Sequence, residues 1–130
     1  KPVLEKIGGR YLPLKVAGAF HTPLMQEALI TIKTVFDKKN VTESDIKLIS
    51  NISGGILGKS DVINELVNQV ISPVEWLKTM KTLNNANIKQ IIEFGPGKVL
   101  ANLCRRTIKD VDIVNVETIE DINHLEMQNE

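Results

Sequence analysis

A lone histidine closes the apolar run Val16-Ala17-Gly18-Ala19-Phe20-His21, and Thr22-Pro23 follows directly. An unperturbed imidazole titrates near pH ~6.5, so it can take up and return a proton near neutrality. At the C-terminal end of a strand, and just before a helix, such a ring faces the crevice where α/β proteins hold their ligands. General base and then general acid catalysis is the chemistry it could perform. On position alone, a histidine packed at a strand end for structural reasons stays equally open. A nucleophile for it to activate is not in view. No Gly-x-Ser-x-Gly turn is present, and the single cysteine, Cys104, shares a helical stripe with Leu100, Leu103 and Ile108, which reads as core. His21, Cys104 and His124 lack metal-ligand spacing, so no metal site is expected. His124 lies in an acidic tail and reads as a solvated residue. A base without a nucleophile, in a chain that opens on Lys1, suggests the C-terminal part of a larger enzyme.

The elements around His21 follow from periodicity and punctuation. Val3, Leu4 and Ile7 form a helical remnant ended by Gly8-Gly9, and Leu12, Leu14 and Val16 alternate as a half-buried strand. Thr22 fits an N-cap and Pro23 the first helical position, where its missing N–H costs nothing. Leu24, Met25, Ala28, Leu29, Ile32, Val35 and Phe36 then share one helix face. A second strand is expected over 46–51, then a glycine loop, then a helix from about Ser60 to Gln69. Ser72-Pro73-Val74-Glu75 reads as a capping box opening a third helix. An apolar strand over 88–94 ends in Gly95-Pro96-Gly97, a helix covers 98–108, Val111 to Val116 alternate as a last strand, and Thr118 can cap a final helix. This alternation predicts an α/β fold with a mostly parallel sheet.

Sixteen basic and sixteen acidic residues cancel, so no global field argues for nucleic acid or an anionic membrane. No apolar run is long enough to span a bilayer, and no signal peptide is visible. The single cysteine excludes an internal disulfide and fits a reducing, cytoplasmic setting. Two local features keep alternative readings. Gly95-Pro96-Gly97 precedes a helix and could cradle an anion, or could simply be a tight turn. Arg105 and Arg106 are a solvated helix face or a docking surface.

Three blocks, in order, carry a family resemblance: Val16-Ala17-Gly18-Ala19-Phe20-His21-Thr22-Pro23-Leu24-Met25, Gln69-Val70-Ile71-Ser72-Pro73-Val74-Glu75-Trp76, and Glu93-Phe94-Gly95-Pro96-Gly97-Lys98-Val99-Leu100. With them the chain resembles the C-terminal part of malonyl-CoA:acyl carrier protein transacylases, to which acyltransferase domains of fatty-acid and polyketide synthases are related. The resemblance implies that residues 1–16 end a ferredoxin-like small subdomain. It implies that residues 17–130 are the C-terminal part of a large α/β-hydrolase-like acyltransferase subdomain.

The resemblance also implies a serine nucleophile, acylated by malonyl-CoA, which passes the acyl group to the phosphopantetheine thiol of acyl carrier protein in fatty-acid synthesis. No permanently bound cofactor is expected, and neither nucleic acid nor membrane is a partner. His21 then corresponds to the base, and Gln69 supplies a backbone carbonyl that accepts a hydrogen bond from its ring. A side-chain substitution at Gln69 is expected to do little if only that carbonyl acts. Phe20 matches the malonyl-selective pattern, and Lys98, Arg105 and Arg106 become candidates for docking an acidic carrier. The nucleophile turn, the oxyanion-hole glutamine and the carboxylate-binding arginine of the family lie upstream of this chain, so it is expected to be inactive alone. Two competing readings of the same residues are a non-catalytic carrier-binding remnant and an acyl hydrolase on the same scaffold.

Overall fold

A computed structural model describes residues 2–11, 13, 16–36, 41, 42 and 44–127. Six α-helices are described: α1 (Pro2–Lys6), α2 (Ala28–Phe36), α3 (Val62–Asn68), α4 (Trp76–Asn85), α5 (Val99–Thr107) and α6 (Ile119–Met127). Strands β1 (Gln90–Phe94) and β2 (Asp112–Val116) pair in parallel, in a register that sets Gln90 opposite Asp112 and Phe94 opposite Val116. Helix α5 is the crossover that a parallel pair requires. The chain is therefore α/β, with a small parallel sheet.

The core lies beneath that crossover. Met80 of α4 and Cys104 of α5 pack with Ile108, and Trp76, Leu83, Ile91, Val111 and Ile113 close around them. Cys104 is 1% exposed. Burial pushes its thiol up from the ordinary value, and the nearby Glu93 carboxylate pushes the same way. It is a packed hydrophobe rather than a reactive thiol.

The loop 95–98 is a tight turn tied by carboxylates. Glu93, one residue before the end of β1, receives the N–H of Leu100 (3.0 Å) and of Ala101 (2.8 Å), so it satisfies amides of the first turn of α5. Gly97 donates its N–H to the Glu117 carboxylate, and Asn115 Nδ2 donates to the Gly97 carbonyl at 2.8 Å. Gly95 and Gly97 have φ of 130° and 87°, which only glycine adopts freely. Protein carboxylates take the Gly97, Leu100 and Ala101 amides, which favours the tight turn over an anion cradle.

Several expectations change. The strand over 46–51 reduces to one antiparallel bridge, Ile49 with Ile56. The segment folds back on itself through Ser50 N–H to the Gly55 carbonyl and Leu57 N–H to the Leu48 carbonyl, both 2.8 Å, so a turn replaces the ladder. The helix expected from Pro23 is split. Pro23–Met25 is a 3₁₀ turn, and α2 starts at Ala28. On the expected inner face, Leu24 and Val35 are exposed.

The Ser72 capping box does not form. Residues 73–75 are non-helical, the Glu75 N–H goes to the Asn51 carbonyl at 2.8 Å, and α4 starts at Trp76 without a side-chain cap. A reciprocal box stands instead at α6. Asp121 N–H donates to Thr118 Oγ1 (3.2 Å), and Thr118 N–H donates to Asp121 Oδ2 (2.8 Å). The strand expected around residues 12–16 falls largely on Leu12, Leu14 and Lys15, which lie outside the described residues.

Candidate active site

His21 sits in a turn that its neighbours close. Thr22 Oγ1 donates to the Ala19 carbonyl (2.8 Å) and accepts the Leu24 N–H (3.3 Å), capping the 3₁₀ turn that Pro23 opens. His21 itself has φ of 63°, a left-handed conformation uncommon outside glycine. Two contacts with the end of α3 hold it there. Its N–H donates to the Val70 carbonyl at 2.8 Å, and its ring Nδ1 lies 2.8 Å from the Gln69 carbonyl oxygen. Strain of this kind persists where the surroundings over-determine it, and it clusters at functional sites.

The chemistry of the second contact is constrained. A carbonyl oxygen can only accept, so Nδ1 carries a proton, and in the neutral ring Nε2 keeps its lone pair. The imidazole is exposed. The arrangement is an imidazole anchored through Nδ1 on an open face. Gln69 is the C-cap of α3, and its carbonyl also accepts the Ser72 N–H at 3.3 Å, so both its lone pairs are engaged. Phe20 adjoins the turn and is 57% exposed.

The basic residues stand apart from this turn, on α5. Lys98 is the N-cap and is exposed. Arg105 is held: its guanidinium donates to the Ile113 carbonyl at 2.8 Å and to Asn102 Oδ1 at 3.3 Å. Arg106 is exposed beside it. His124 is exposed on α6. Among the described residues, no group of three or more His, Cys, Asp or Glu could hold a metal. Nor is any helix there long and apolar enough to cross a membrane. A groove of about 460 Å³ between α2 and α3, lined by Leu29, Ile30, Lys33, Ile63 and Asn64 among others, includes neither His21 nor Gln69.

Sequence reasoning missed the polar residues behind Gln69. Glu65 on α3 and Gln69 at its C-cap lie four apart, and both turn toward the loop at 50–53. Glu65 accepts from Ser50, Asn51 and Ile52, and Gln69 Oε1 accepts from Asn51 Nδ2. The i, i+4 spacing was the visible signal. The loop it grips lies more than ten residues away along the chain and leaves no local trace.

No protein-family model matches the chain. It is 36% identical, over 115 residues, to the malonyl CoA-acyl carrier protein transacylase of Bacillus subtilis (strain 168), a match spanning 85% of this chain and 36% of that protein. The crystal structure of MCAT from Streptococcus pneumoniae superposes with a TM-score of 0.87 at 26% identity, over 98% of this chain and 42% of the other. A malonyl-transacylase solved in complex with a type II PKS acyl-carrier protein superposes with a TM-score of 0.79 at 28% identity, over 94% of this chain and 41% of that one. The chain thus spans about two fifths of the length of the relatives it matches. In sequence and in backbone alike, it is similar to a segment of the malonyl-CoA:acyl carrier protein transacylases.

Proposed function

We propose that this chain is the histidine-bearing segment of a malonyl-CoA:acyl carrier protein transacylase, an [acyl-carrier-protein] S-malonyltransferase. It corresponds to the C-terminal part, and the nucleophilic serine lies outside it. The observation that carries this reading is the 2.8 Å contact between His21 Nδ1 and the Gln69 carbonyl, which leaves Nε2 free to accept a proton.

The reaction then runs in two proton cycles. Nε2 of His21 takes the serine proton as its oxygen attacks the malonyl thioester carbonyl, and it returns that proton to the departing coenzyme A thiolate. In the second half, Nε2 takes the proton of the carrier's phosphopantetheine thiol as its sulfur attacks the acyl-serine, and gives it back to the serine oxygen. A neutral carbonyl behind Nδ1 fixes the tautomer, though it stabilises the imidazolium less than a carboxylate does. Malonyl-CoA is the substrate, and no resident cofactor is needed for either half.

Phe20, next to the base and half open to solvent, fits a wall of the acyl pocket. Lys98, Arg105 and Arg106 offer charge to an acidic carrier. The similarity to a transacylase solved with its carrier protein supports that partner. Residues 17–130 form part of an α/β-hydrolase-like subdomain. Residues 1–16 end a ferredoxin-like one, consistent with an α1 that buries no residue. The unpaired, buried Cys104 fits a reducing cytoplasm.

The test is transfer of malonyl from malonyl-CoA to holo acyl carrier protein, followed by mass spectrometry of the carrier. The complete protein containing this chain is expected to load the carrier, and the 130-residue chain alone is not. A complete protein that hydrolyses malonyl-CoA without loading the carrier overturns the transferase assignment.

A further inference from the structure

The hydrogen bonds behind His21 converge on Asn51. Its N–H donates to Glu65 Oε1 at 2.7 Å, and its carbonyl accepts the Glu75 N–H at 2.8 Å. Its carboxamide Nδ2 donates to Gln69 Oε1 at 3.0 Å. Glu65 is fixed in turn: Oε2 accepts the Ser50 hydroxyl at 2.8 Å, and Oε1 also receives the Ile52 N–H at 3.2 Å. Ser50 is 1% exposed, and its oxygen takes the N–H groups of Ile52 and Ser53 at 3.0 and 2.8 Å. The main chain of Asn51 is therefore held on both sides. Its side chain reaches the one residue whose carbonyl faces the His21 ring.

That carbonyl stands just past the last residue of α3, where intrahelical bonding runs out and helix ends fray. Tying the side chain of the same residue limits how far the peptide can tilt. We propose that Asn51 is a positioning residue: by holding the Gln69 side chain, it holds the turn whose carbonyl sets the tautomer and aim of His21. The role of the Gln69 side chain is then larger than a pure backbone acceptor implies. The inference rests on the reading of His21 as the base, but its test does not depend on that reading alone.

The experiment uses the complete protein containing this chain, with ¹⁵N-labelled histidine. His21 ring resonances are assigned by difference from a His21→Gln variant. Asn51→Ala, Gln69→Ala and the double variant are compared by ring ¹⁵N shifts, kcat, KM for malonyl-CoA and thermal unfolding. Each single variant is expected to move His21 from the Nδ1–H form toward a mixture with Nε2–H. Each is also expected to lower kcat about 10- to 100-fold at unchanged KM, as a small misplacement of a reacting group does. The double variant is expected to be no worse than either single, because both cut the same link. Folded variants whose ring resonances and kcat match the parent overturn the proposal, as do strictly additive losses. If Asn51→Ala does not fold, Gln69→Ala decides by the same criteria, since it removes only a side chain at a helix end. A ring that responds while kcat does not supports the hold of Asn51 on His21 and instead overturns the reading of His21 as the base.

Discussion

At the scale of single residues, the site turns on which atoms can donate. The Gln69 oxygen accepts from His21 Nδ1, so the opposite nitrogen is the one that can accept a proton. Phe20 precedes that ring in the same turn and presents much of its side chain outward. If it forms one wall of the acyl pocket, Phe20→Ser opens room beside the α-carbon of the acyl group. The ratio of kcat/KM for methylmalonyl-CoA to that for malonyl-CoA is then expected to rise about 10-fold or more, the scale of a methyl group's discrimination in a pocket. Competition between the two thioesters in the complete protein measures it, and an unchanged ratio removes Phe20 from the pocket. Cys104 supplies no rival nucleophile, because burial and the Glu93 carboxylate both hold its thiol in the neutral form.

At the scale of elements, carboxylates hold the first turns of α5 and α6. Asp121 accepts the N–H groups of Glu117 and Thr118, and these bonds hold its carboxyl below its ordinary value. A depressed carboxylate contributes stability above its unfolded value, and that contribution is lost as pH falls through the folded one. Asp121→Asn keeps an acceptor but cannot titrate. Helix α6 in the variant is therefore expected to lose its acid-dependent weakening below the ordinary aspartate value of 3.8, read as amide exchange at residues 119–125 against pH. An identical pH dependence in both proteins shows that the cap does not depend on the charge.

Much of this level was legible in the chain. The alternation in 111–116, the apolar run before Gly95 and the helical spacing around Cys104 correspond to β2, β1 and α5. So did the proline-opened turn at Thr22, although it closes as 3₁₀ before α2 starts. What stayed hidden depends on partners far along the chain. A strand at 46–51 needs a ladder, and among the described residues only Ile49 finds one residue to pair with. The pattern Ser72 to Glu75 has the composition of a cap, but the Glu75 N–H is taken by Asn51, 24 residues earlier. The contact of His21 with the Gln69 carbonyl was expected from the family resemblance, whereas the grip of Glu65 on Ser50 and Asn51 was not, because no local rule places that loop against α3.

At the scale of the whole molecule, much apolar surface is left uncovered. A folded monomer of this mass exposes roughly 6,900 Å², whereas this chain exposes 10,552 Å². Leu24, Ile30, Leu77, Phe94 and Val99 are each more than two-thirds exposed. The basic residues at α5 are a different kind of surface, charged rather than apolar and open to solvent. Arg105 is engaged by the Ile113 carbonyl, so of the three residues proposed to dock an acidic carrier, Arg106 makes the cleaner test. Arg106→Glu in the complete protein is expected to raise KM for the carrier several-fold, more at low salt than at high, while acylation by malonyl-CoA is unchanged. A KM for the carrier that does not move assigns docking to another face. On the proposed reading, His21 is the base that activates a hydroxyl supplied by the rest of the protein. Its most direct test is the rate of acyl-enzyme formation with malonyl-CoA, followed by rapid quench and intact-protein mass spectrometry, for the complete protein and its His21→Ala variant. The account predicts a loss of at least about 100-fold, the usual scale of a general base, with the variant still folded; acylation of His21→Ala at a near-parental rate would contradict it.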